Sequence, residues 1–226
     1  MQQTEHIGDN KAQIYLRAEP TEEAKELIME HRVFLDKQFD KLGVKHKLVS
    51  RGEFHKTELF LDSVFNWERF LKSVGIEAKL DASMLIKLLD MPKEEKEVTA
   101  DIPSGYDIFL SKDGRFTTVM RLEPTAFQAK LVDAVKRNLT VWEKEGIIPA
   151  GSIEKIINAP KFPLARDLYG HKPHITLLKG KIKNVNIRMV TEKVVKELAV
   201  HFAVAIPFER IDVRTVRSIR VVEKYA

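Results

Sequence analysis

Cysteine is absent from this chain of 226 residues, which excludes disulfides, thiol nucleophiles and thiolate-bound metals and fits a reducing compartment. No apolar run approaches the ~20 residues that a membrane-spanning helix needs. Residues Met1 to Lys11 are polar and mixed in charge, without the basic-then-apolar order of an export leader. A cytoplasmic protein that does not associate with membranes is therefore expected. Neither H-E-x-x-H nor carboxylates clustered at ligand spacing occur, so no metal and no cofactor is expected. A strong charge of one sign is missing too. The formal charge of +5 and pI near 9.2 help to attract anionic substrates without marking a dedicated nucleic-acid-binding protein. With 44% hydrophobic and 31% charged residues, the chain can bury one sizeable core or two small lobes.

What the chain does contain is a pair of His-x-Thr tripeptides, His55-Lys56-Thr57 and His174-Ile175-Thr176. Each lies in an apolar run that reads as a strand, Phe54 to Leu61 and Pro173 to Leu178. In a strand, residues i and i+2 share a face, so each tripeptide presents one imidazole beside one hydroxyl. Two such pairs across a groove supply two groups that exchange protons near neutral pH and two hydroxyls that hold phosphate oxygens. These residues suggest metal-free phosphodiester cleavage.

The surroundings of the tripeptides repeat. Residues Ala12 to Ala18 alternate as a strand, Glu19-Pro20-Thr21 interrupts it, and a helix follows with Thr21 as N-cap and Gly43 as its stop. The strand with His55 and Thr57 comes next, then a short amphipathic helix from Ser63 to Val74 with Phe65, Phe70 and Val74 as core candidates. In the second half, strands Gly105 to Leu110 and Phe116 to Leu122 flank an Asp113-Gly114 turn. Glu123-Pro124-Thr125 then opens a helix over Ala126 to Glu145, followed after a loop by the strand of His174 and Thr176. Leu16-Arg17-Ala18-Glu19-Pro20-Thr21 thus matches Met120-Arg121-Leu122-Glu123-Pro124-Thr125. Helix-start chemistry alone accounts for Pro and Thr at such junctions, but the ordered double match favours two related lobes, roughly 12–104 and 105–226, sharing one site. A helix near Thr191 to His201 and strand-like runs at Ala203 to Phe208 and Ser218 to Val222 complete the sheets, the last strands crossing between lobes. Residues 91–99 form a charged connector, and 149–167 a proline-containing loop whose Lys155, Lys161 and Arg166 are candidates to meet phosphate.

These motifs and junctions resemble the 2H phosphoesterase superfamily, named for two H-x-[ST] motifs on the central strands of two pseudo-symmetric lobes. Pro173-His174-Ile175-Thr176-Leu177 matches its pattern well. His55-Lys56-Thr57-Glu58-Leu59 departs from it, because the family more often has apolar residues where Lys56 and Glu58 stand. The resemblance implies an α+β fold of two pseudo-symmetric lobes, with antiparallel-rich sheets facing a central groove and helices packed outside. It implies His55 and His174 as the acid/base pair, with Thr57 and Thr176 on the non-bridging oxygens. The substrate would be a nucleotide, RNA end or cyclic oligonucleotide carrying a 2′,3′-cyclic phosphate, a 2′-5′ linkage or an internal diester. Tyr169 and His171 are further substrate-binding candidates, at the rim before the second motif. Lys179 is assigned to the opposite face from His174. A monomer is expected. The competing reading is a non-catalytic RNA- or nucleotide-binding protein, and a third treats both tripeptides as coincidence, which widely separated histidines would establish.

Overall fold

The computed structural model describes residues 11–91, 100–123, 126–159 and 173–217, with 210–217 described by backbone alone. Strand β1 (Ala12–Pro20) alternates buried and half-buried residues along its whole length, the pattern of a strand covered on one face. Pro20 ends it, and Thr21 caps α1 (Glu22–Lys41) by accepting from the Ala24 N–H at 3.1 Å, with Glu22 and Glu23 in the first turn. There follow β2 (His46–Leu48), a 3-10 turn (Arg51–Glu53), β3 (Lys56–Asp62), α2 (Val64–Ser73) and α3 (Ala82–Lys87). The second half contributes β4 (Pro103–Leu110), β5 (Arg115–Leu122), α4 (Ala126–Lys144), α5 (Ser152–Ile157), β6 (His174–Lys181), α6 (Val185–Glu197) and β7 (Phe208–Arg217). The β4–β5 hairpin turns at Gly114, whose φ of +81° and position against the Ile182 carbonyl leave no room for a Cβ.

The seven strands form one sheet in the order β4-β5-β6-β3-β1-β7, with β2 also on β6, and all pairs are antiparallel. The α+β, antiparallel-rich architecture is as expected. The β4-β5-β6 and β3-β1-β7 groups are continuous through a single Cα pair, Lys56 with Ile175. The last strand, β7, crosses to pair with β1.

One face of this sheet is covered. Ile14, Leu16, Leu59 and Leu61 pack with α2, α3, α4 and α5, whereas Ile175, Leu177, Met120 and Tyr106 pack with α1 and α6. Each long helix therefore crosses behind the sheet: α1, which follows β1, lies on the second-half strands, and α4, which follows β5, lies on the first-half strands. The core contains charge. Lys56, Glu58 and Asp101 are 1%, 1% and 2% exposed. The Lys56 ammonium contacts Asp101, sits 2.5 Å from Glu58 Oε1, and lies 4.6 Å from the centre of the Phe208 ring. Burial pushes the Asp101 carboxyl above its ordinary range despite Lys56 beside it. The lysine and glutamate that interrupt the apolar pattern of the first motif are thus members of a buried ion network.

Several elements differ from expectation. Phe65 is 49% exposed, and Trp67 takes its place in the core with its indole N–H donated to the Leu61 carbonyl. The last helix begins at Val185, because Asn184 caps the N–H groups of Asn186 and Ile187, and it ends at Glu197 before His201. The final strand runs over 208–217, while Ala203 to Phe208 contributes only an isolated bridge from Ile206 to Asp101 before β7 begins. The run 218–222 lies outside the described residues. Helix α5 arises within the stretch 149–167 that reads as a loop, and β2 and α3 in stretches to which the sequence assigns no element.

Two consequences for stability can be measured. Lys56→Met strands two buried carboxylates without their cation and is expected to cost about 3–5 kcal/mol in urea unfolding. His31 is fully buried, paired through Nδ1 with the Tyr106 hydroxyl at 2.6 Å, and burial lowers its pKa from 6.5 to about 4. The unfolded chain then binds this proton first, so its contribution is intact above pH 6.5 and drains as pH falls toward 4, by up to about 3 kcal/mol. Unfolding free energy should decline over that window in the wild type and measurably less in His31→Leu.

Candidate active site

The site is laid out by strand register. Lys56 and Ile175 are the middle residues of the two H-x-T tripeptides, and they are also the residues through which β3 and β6 pair. Both are buried on the helix-covered face. Their neighbours His55, Thr57, His174 and Thr176 therefore share the other face, where all four are half-buried. Because the strands are antiparallel, the pairing brings Thr57 alongside His174 and His55 alongside Thr176. The two histidines occupy diagonal positions, for which Cα atoms lie about 7–8 Å apart. A local two-fold axis through the Lys56–Ile175 pair relates the tripeptides. The two His-Thr pairs thus stand side by side on one face of the sheet.

The same ladders add charged residues on either side. Arg17 on β1 is opposite Thr57, and Arg121 on β5 is opposite His174. Reading across β1, β3, β6 and β5 gives one transverse row: Arg17, Thr57, His174, Arg121. The neighbouring row contains His55, Thr176, Val119 and Asp107, with Glu19 continuing it beyond His55. Ion pairs link the rows at both ends, Arg17 with Glu19 and Arg121 with Asp107. An aromatic ring attends each histidine: Tyr15 lies 6.2 Å from His55, and Phe109, 41% exposed, lies 5.2 Å from His174 edge to face.

His55 is chemically defined by its surroundings. Its Nδ1 lies 2.8 Å from the Glu53 carbonyl, which can only accept, so Nδ1 carries the proton and the neutral ring's lone pair is on Nε2. Burial is the main cause that lowers the His55 pKa below 6.5; Arg17 and Lys179 lower it further, against the Glu53 hydrogen bond and Glu19, which raise it. The result is a neutral imidazole at pH 7, with a basic nitrogen available.

Arg17 and Arg121 were visible in the sequence only as part of the repeated junction, not as site residues. Alternation with Leu16 and Ala18 would have assigned Arg17 to the face of His55. Lys179 requires a correction. A register shift opposite Leu177 makes Leu177 and Leu178 both buried, and Lys179 returns to the exposed face, within electrostatic reach of His55. Phe54 and Trp67 are core residues and do not face the site. Tyr169 and His171, with Lys161 and Arg166, lie outside the described residues; Lys155 is on α5, which packs behind the sheet. Among the described residues, Asp36, Asp40 and His46 approach one another as metal ligands would. They lie at the end of α1 away from the tripeptides, where His46 is engaged by Asp36 at 2.5 Å and the Val44 carbonyl at 2.7 Å.

No family profile and no curated relative matches the chain. Solved structures do show a likeness. The Thermus thermophilus protein TT0787 is 16% identical, with a TM-score of 0.44 over 89% of this chain and 86% of that one. Escherichia coli LigT complexed with ATP is 12% identical, with a TM-score of 0.40 over 90% and 87%. LigT complexed with 3′-AMP is 13% identical, with a TM-score of 0.39 over 91% and 94%. At such values the likeness carries no functional argument, and the chemistry rests on the site.

The charges around His55 can be tested by NMR titration of its ring. Arg17→Met removes a cation and is expected to raise the His55 pKa, whereas Glu19→Gln removes an anion and is expected to lower it. Shifts of the opposite sign would overturn the electrostatic layout.

Proposed function

We propose that the protein is a phosphodiesterase that cleaves a nucleotide or RNA phosphodiester by two-histidine general acid/base catalysis. The observation that carries this reading is the Lys56–Ile175 pair, which sets the two H-x-T tripeptides face to face about a local two-fold axis. A phosphate centred on that axis meets a hydroxyl and an imidazole from each side.

The roles are assigned from His55. Neutral and with its lone pair on Nε2, His55 removes a proton from the attacking water or 2′-hydroxyl, which leaves to His174 the delivery of a proton to the leaving oxygen. Thr57 and Thr176 donate hydrogen bonds to the non-bridging oxygens, and Lys179, within electrostatic reach of His55, offsets the charge that builds there. Proton transfers and fixed cations suffice for this scheme, so no step requires a metal. The 2′,3′-cyclic phosphate, the 2′-5′ linkage and the cyclic oligonucleotide all present the same diester to these four side chains.

Turnover is tested on 2′,3′-cyclic mononucleotides, 2′-5′ oligoadenylates and cyclic di- and trinucleotides in the presence of EDTA. Wild type is expected to cleave at least one of them, and His55→Ala and His174→Ala each to lose about 10²–10⁴-fold with circular dichroism unchanged. Activity should fall on the acid side as His55 protonates, with a midpoint below pH 6.5, since its pKa is lowered. Tight binding without turnover would instead support a nucleotide-binding protein. Activity surviving both substitutions would remove the histidines from the mechanism.

A further inference from the structure

Arg17 and Arg121 stand at matching places in the two halves, each followed by one apolar residue and then Glu-Pro-Thr. They end the transverse row in which Thr57 and His174 are the central pair. Three strand spacings separate them, about 14 Å between backbones, which puts each about 7 Å from the local axis. Neither guanidinium is drawn inward. Arg121 is held by Asp107 on β4, on the far side of β5 from His174, and Arg17 is held by Glu19 of its own strand. The side chains remain 17% and 30% exposed.

Each arginine is also incompletely satisfied. Arg17 Nε and Arg121 Nε are buried donors without a hydrogen-bond partner. One carboxylate thus orients each fork through Nη2 while leaving part of its donor set unused. A guanidinium held in this way is pre-organised for a second anion, and phosphate, like carboxylate, has oxygens whose geometry suits the fork.

We propose that Arg17 and Arg121 bind the phosphates on either side of the scissile one, so that the site selects an oligonucleotide strand over a substrate with a single phosphate. This rests on the reading of the central site as the phosphodiester site. The two arginines are specificity residues: the scissile phosphate belongs to the threonines and histidines, and its neighbours along the strand belong to the outer cations.

The test compares binding of ApA, with one phosphate, and ApApApA, whose central phosphate has a neighbour on each side, in both 3′-5′ and 2′-5′ linkages. Dissociation constants are measured for wild type, Arg17→Met and Arg121→Met, with turnover followed in parallel. Wild type is expected to prefer the tetranucleotide, and each substitution to shrink that preference about ten- to a hundredfold, as loss of a charge-assisted hydrogen bond does. The salt dependence of tetranucleotide binding should flatten by about 0.7 in log–log slope per arginine. Arg17→Lys and Arg121→Lys keep the charge without the fork and serve where a Met variant does not fold; intermediate preferences are expected. Equal binding of both ligands by wild type, or substitutions that weaken both ligands equally, would overturn the proposal and leave the arginines structural. A wild type that shows the preference but cleaves neither strand, and none of the cyclic phosphates and cyclic oligonucleotides of the turnover panel, would sink the phosphodiesterase reading while leaving the phosphate pair standing.

Discussion

A buried ammonium organises this protein. Lys56 sits between His55 and Thr57 and points the other way, through the sheet into the helix-covered core, where Asp101, Glu58 and the Phe208 ring receive it. A lone charge at that depth would be costly, and pairing with complementary groups makes it tolerable. The pairing is also directional. If β3 slipped by one residue, Lys56 and Glu58 would turn to the open face, His55 and Thr57 would turn into the core, and Asp101 would be left without a cation. The network therefore holds the first H-x-T tripeptide in the facing that the proposed chemistry requires. Because Asp101 is bridged to Ile206 just before β7, it also ties β3 to the return of the chain from the second half.

From that fixed facing the rest of the site follows. Lys56 is opposite Ile175, so the two tripeptides meet about a local axis, and adjoining ladders bring β1 and β5 up on either side. The helices reinforce the arrangement by crossing: α1 leaves β1 to cover the β4-β5-β6 group, and α4 leaves β5 to cover the β3-β1-β7 group. Each half thus closes the core of the other. The strands beneath the site cannot separate without exposing both apolar layers, which suits a site assembled from two halves.

The sequence showed much of this through local chemistry. Alternation marked β1, Thr21 and Gly43 bounded α1, and the Asp113-Gly114 turn marked the β4–β5 hairpin, because strand pleat, helix caps and tight turns depend on neighbouring residues. The tripeptides were visible as like-facing His and Thr for the same reason. Other features were not visible. Lys56 and Glu58 stood out only as a departure from an apolar pattern, since their partner Asp101 is remote in sequence. Lys179 looked inward-facing, since a bulge at Leu177 is a property of a pair of strands. Phe65 was read as a core residue of α2, and Trp67, two residues on and across the helix from it, holds that place.

By itself the chain determined the strands and helices that flank the two tripeptides, the four H-x-T side chains and the absence of thiol chemistry, because each depends on residue type and short-range spacing. Tertiary structure alone decided which residues meet. It set Thr57 beside His174, brought Arg17 and Arg121 to the ends of one row, returned Lys179 to the open face and turned His55 Nδ1 to the Glu53 carbonyl. These are outcomes of strand order and register, which arise from burying Lys56 with its partners and closing two apolar cores at once, and no local rule encodes them.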